Sequence, residues 1–110
     1  MNIAEITPDN PLLTLINTFT VDPANQSKLI DLLTAATEGS ITKVPGFIAC
    51  TLHKGLDGTK VTMYSQWESL EDYQNMRRNP AASPYLDQAL QLARFESGMY
   101  EVVREFIKMG

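Results

Sequence analysis

Asn17, His53, Trp67 and Tyr73 are the polar or aromatic side chains that fall on otherwise apolar faces of this chain. Together they could move a proton and hold an anion. An asparagine set among leucines and a phenylalanine costs about 1–3 kcal/mol if its amide is buried alone, so Asn17 is either paired internally or turned to a polar ligand. His53 is the sole histidine. A lone histidine is more often a surface or satisfied residue than a base, yet its ordinary pKa near neutrality makes it the best proton acceptor available. Trp67, at the end of a strand, either plugs a seam between sheet and helix or walls a cavity. Tyr73 either packs in a helical stripe or reaches a ligand. Arg77, Arg78 and Arg94 read as solvated helix charges, and Cys50 reads as a small buried hydrophobe rather than a nucleophile. The chain lacks G-x-G-x-x-G, a P-loop, G-x-S-x-G and any pair of histidines, so no metal site is expected.

The elements that must position these residues can be read from periodicity. Residues through Pro11 are polar and broken by two prolines, an arm spanning 1–11. Leu12 to Val21 has strand composition, with Leu13, Leu15, Asn17, Phe19 and Val21 on one face. Asp22-Pro23 starts a helix whose stripe is Leu29, Leu32, Leu33 and Ala36, and Gly39 can end it in the left-handed conformation. After the Val44-Pro45-Gly46 turn, Phe47 to Lys54 alternates Phe47, Ala49, Thr51 and His53 against Ile48, Cys50, Leu52 and Lys54. Asp57-Gly58 reverses the chain into Lys60 to Trp67, which predicts a hairpin. Ser69 with Asp72 resembles a capping box for a short helix that Asn79-Pro80 stops. Ser83-Pro84 repeats the start signal for a stripe of Leu86, Ala89, Leu90 and Ala93. Gly98 then precedes a last alternating segment, Met99 to Ile107, with 108–110 as a tail. That order predicts an α+β, ferredoxin-like βαββαβ fold with a four-stranded antiparallel sheet over residues 12–107. One sheet face would be bare in a monomer, which predicts a homodimer.

Whole-chain arithmetic narrows the function. The 110 residues, 44% apolar and 20% charged, suit one domain. A formal charge of −4 offers no basic field for nucleic acid or anionic lipid. A single cysteine excludes an internal disulfide framework. The first ten residues have neither a basic start nor an apolar core, so no signal peptide or membrane span is expected and the protein is expected to be cytoplasmic.

The segments NTFTVDP (17–23), VPGF (44–47), LHKGLDGTKV (52–61) and YSQWESLEDY (64–73) together resemble the antibiotic biosynthesis monooxygenase family across residues 12–107. The resemblance implies a dimeric α+β barrel of ferredoxin-like subunits, each with a cavity between sheet and helices. In the best understood branch it implies oxygenation of aromatic, polyketide-like phenols such as anthrones by O2, with no metal, flavin or nicotinamide cofactor. There a strand-one asparagine, a strand-two histidine, the strand-three tryptophan and a following tyrosine line the pocket, matching Asn17, His53, Trp67 and Tyr73. Asn17, His53 and Trp67 are then the expected catalytic residues, and Phe19, Met63 and Tyr73 the expected substrate contacts. Relatives often carry asparagine where this chain has Met63, and their pocket arginine on the second helix has no clear counterpart. A second branch binds and degrades haem through a histidine on the helix after the tryptophan, but residues 69–95 contain none. A non-catalytic, small-molecule-binding dimer is the remaining alternative.

Overall fold

β-branched and aromatic side chains make Leu13–Val21 the first strand, β1. The Asp22-Pro23 signal works in two stages. Asp22 Oδ1 accepts from the Ala24 N–H at 2.9 Å, Pro23–Asn25 forms a 3-10 turn, and α1 follows as Gln26–Gly39. Gly39 is not left-handed, contrary to expectation. The Ser40 N–H donates to Ala36 O and the chain runs straight on into a second 3-10 turn, Ile41–Lys43, so no reversal is needed. The hairpin falls where expected, as β2 (Phe47–Lys54) and β3 (Lys60–Trp67). Gln26 secures it from α1, donating from Nε2 to Gly55 O and Lys60 O at 2.9 and 3.0 Å.

The computed structural model describes residues 4–78 and 83–110. Ser69 caps α2 (Leu70–Arg77), accepting from the Asp72 N–H at 3.2 Å and donating to Asp72 Oδ2 at 2.8 Å. The expected Asn79-Pro80 stop lies outside the described residues. α3 (Ser83–Leu92) then passes directly into β4 (Ala93–Tyr100). The sequence pattern carries the helical stripe to Ala93 and starts the last strand only after Gly98, at Met99, which leaves the stretch between them outside the strand. Instead it is the strand, pairing antiparallel with β1 from Val21 opposite Ala93 to Thr14 opposite Tyr100. The Phe95 ring stacks on Phe19 with centroids 5.4 Å apart, a tertiary gain that overrides the local helical pattern. Residues 101–110 form no regular structure.

The sheet order is β2-β3-β1-β4, the ferredoxin-like α+β arrangement, with β1 in the centre. The helices cover one face. Leu29 and Leu33 of α1 pack with Phe19, Val21, Val61 and Met63, while Ala36 joins a second cluster with Leu15, Trp67, Tyr73 and Met76. A cavity opens where these two clusters meet.

Candidate active site

Strand parity sets the floor of the cavity. On central β1, Leu15, Asn17 and Phe19 face the helices, opposite Ser65, Met63 and Val61 of β3. Asn17 is therefore an amide in the middle of an apolar floor. Its Oδ1 is buried and has no hydrogen-bond partner among the described residues. Of the two readings open to the sequence, internal pairing and a turn toward a ligand, the first has no partner for this oxygen among the described residues.

Trp67 is both plug and wall. It is 1% exposed, lines the cavity, and meets Phe47 and Tyr73 edge-to-face at 5.3 and 5.7 Å. Its indole N–H donates to Ser65 Oγ at 3.2 Å, and that hydroxyl lies 3.5 Å from Leu15 O. The ring thus presents an apolar surface with its one donor already occupied. Tyr73, 3% exposed, accepts at its hydroxyl from Arg77 at 3.0 Å and keeps its own proton free to donate. Phe19 and Met63, both buried, complete the set of expected residues that share the cavity.

His53 does not share it. The imidazole is exposed on the opposite face of the sheet, where Nε2 lies 3.0 Å from Thr51 Oγ1. The cause is a β-bulge between Phe47 and Ala49. Phe47 pairs with Trp67 and packs inward, so strict alternation from Phe47 would carry His53 inward as well. The extra residue reverses the parity. Cys50 and Leu52 face in, and Ala49, Thr51 and His53 face out. Cys50 accordingly lines the cavity, and burial pushes its thiol up to about 11, so it stays protonated at neutral pH.

The cavity volume is about 160 Å³. An apolar void of about 150 Å³ holds one benzene ring, so a volume of this size matches the edge of a planar aromatic rather than a whole polycycle. Its exposed rim is Arg77 of α2 with Asp87 and Leu90 of α3, and the remainder of a larger ligand would project between them. Arg77 is therefore no purely solvated charge. Its spacing of four from Tyr73 on one helix was the available signal. Ser65, two residues before Trp67 on the same strand face, was likewise legible as its neighbour. Among the described residues no three His, Cys, Asp or Glu side chains gather to hold a metal, and no helix is long and apolar enough to cross a membrane.

Known proteins share this architecture and more. Tetracenomycin-F1 monooxygenase of Streptomyces glaucescens is 36% identical over 104 residues, 94% of this chain and 93% of that protein. A monooxygenase from the ActVA-Orf6 gene of Streptomyces coelicolor, solved with nanaomycin D bound, superposes with a TM-score of 0.80 at 30% identity, covering 97% of this chain and all of its own. SnoaB of Streptomyces nogalater, a cofactor-independent oxygenase, shares the fold at 21% identity with a TM-score of 0.68, covering 89% of this chain and 98% of its own. Residues 12–87, well over half of the chain, match the family described as antibiotic biosynthesis monooxygenase. The chain belongs to the antibiotic biosynthesis monooxygenase family.

Proposed function

We propose that this protein is a cofactor-free monooxygenase that uses O2 to convert a phenolic, polyketide-like aromatic of the anthrone or quinol type to a quinone. The observation that carries the reading is the unpartnered Asn17 Oδ1 in the floor of an apolar cavity. A phenol O–H donated to that oxygen satisfies it, and the amide NH2 of the same side chain can hold the oxyanion once the proton has left. Triplet oxygen reacts slowly with closed-shell molecules, but an electron-rich phenolate can give up one electron. The resulting pair of radicals recombines as a hydroperoxide, and loss of water leaves the quinone carbonyl, a net gain of one oxygen and loss of two hydrogens. Trp67, Phe19 and Met63 exclude bulk water, and Tyr73 orients a second oxygen of the substrate. With His53 on the outer face, a pocket water beside the substrate hydroxyl would be the proton acceptor.

Oxygen uptake by metal-free protein with a panel of anthrones and hydroquinones, with product mass measured alongside, tests the reading. Asn17→Ala should lower uptake by about 10²–10³-fold, the worth of one oxyanion donor. His53→Ala should leave it unchanged. Ligands that bind and survive oxygen intact would favour a non-catalytic binding dimer, which Met63 in place of a second pocket amide supports.

We further propose that the working form is a homodimer. Val103, Phe106, Ile107 and Met109 are 80%, 86%, 77% and 92% exposed, more apolar surface than an isolated subunit keeps in water without an interaction role. The outer sheet face, with Ile16 and Tyr64 half-buried, is the complementary surface for a second copy.

A further inference from the structure

We propose that Met63 is an oxygen-accepting modification site, taking the distal oxygen of an organic hydroperoxide held in the cavity. Met63 is the register partner of Asn17 across β1 and β3. Directly opposed residues on one sheet face have Cβ atoms about 4.5–5.5 Å apart, so a group bonded to the Asn17 amide lies within reach of the flexible thioether. Met63 is 8% exposed, and its side chain lines the cavity. The cavity's other thioether, Met76, comes from α2 and packs in the Trp67 and Tyr73 cluster, and it has no register pairing with Asn17.

In the transfer the O–O bond breaks and an S–O bond forms. The hydroperoxide is reduced by two electrons to the alcohol, which keeps the proton, and the thioether is oxidised by two electrons to the sulfoxide. No other reactant is required. The change sets a polar acceptor beside Asn17 where the floor was apolar, so it weakens apolar ligands and diverts the hydroperoxide from quinone to alcohol. In the cell the oxidant would be the intermediate of the proposed oxygenation, and to that extent the inference rests on that reading. Cumene hydroperoxide supplies the same chemistry without it.

The test exposes the protein to hydrogen peroxide or to cumene hydroperoxide and locates sulfoxide by peptide mass. Hydrogen peroxide from bulk water should oxidise Met109 and Met99, which are 92% and 50% exposed, before the buried methionines. Cumene hydroperoxide should reverse that order and mark Met63 first, with the mark lost in Met63→Leu and its lead over Met99 and Met109 lost in Asn17→Leu. The exposed order with both oxidants, or Met76 ahead of Met63, overturns the proposal. Sulfoxide at Met63 should also accumulate during turnover with an anthrone. Oxygen consumed with Met63 intact overturns the proposal and spares the oxygenase reading. Met63 marked by cumene hydroperoxide in a protein that consumes no oxygen overturns the oxygenase reading alone.

Discussion

Asn17 sits where function and stability pull apart. An acceptor buried without a partner costs about 1–3 kcal/mol, and nothing among the described residues offsets it. Asn17→Leu should therefore raise stability by about 1 kcal/mol, seen as a Tm higher by a few degrees, while ligand binding and oxygen uptake fall together. Cys50 gives a second measurement at this scale. Burial raises its thiol from 9.0 to about 11, so the folded value lies above the unfolded one. Its contribution to stability is complete below about pH 9 and is lost as pH rises toward 11. The urea midpoint should decline through that window, and Cys50→Ala should remove the part of the decline due to this thiol. Alkylation of Cys50 at pH 8 should be slow in the folded protein and fast in urea.

At the scale of elements, the turn before β2 and the first turn of α2 are built against each other. Gly46 has φ of +86°, a left-handed backbone, and a Cβ there would run into the Asp72 carboxylate. Its carbonyl accepts from the Glu68 N–H at 2.8 Å, tying the turn to the end of β3. Gly46→Ala should cost about 1–3 kcal/mol in the denaturant midpoint, through left-handed strain and the clash. Adding Asp72→Ala should recover the clash and leave the strain, so the double-mutant cycle is non-additive. This turn also aims the aromatic cluster, because Phe47 follows Gly46 directly and packs edge-on to Trp67.

For the whole molecule, the outer sheet face and the irregular residues 101–110 govern the proposed association. The amino-terminal arm reaches one corner of that face, where Gln66 Nε2 donates to Glu5 O at 2.6 Å. A chain ending at Tyr100 should behave as a monomer by light scattering where the full chain is a dimer, and should then aggregate at lower concentration. A full-length chain that is monomeric at micromolar concentration would count against the assembly. His53 lies on this outer face, so its environment should change on association, visible in its ring proton shifts.

Local chemistry was enough to determine much of this protein. The bounds of β2 and β3, the Asp57-Gly58 reversal, the Ser69 cap and the order of elements follow from period-two alternation, turn residues and capping, all of which act over a few neighbours. The inward face of Asn17 was legible for the same reason, since β1 carries its alternation unbroken. What only tertiary structure decided is what depends on a partner distant in sequence. Ala93–Tyr100 became a strand because Phe95 meets Phe19 and β1 has a free edge, which outweighs a helical spacing of alanines and leucines. One extra residue between Phe47 and Ala49 in the ladder with β3 turned His53 out and Cys50 in. A bulge leaves composition and spacing unchanged and reverses every side chain beyond it, so the floor of the cavity could be read from residues while the face on which His53 falls could not.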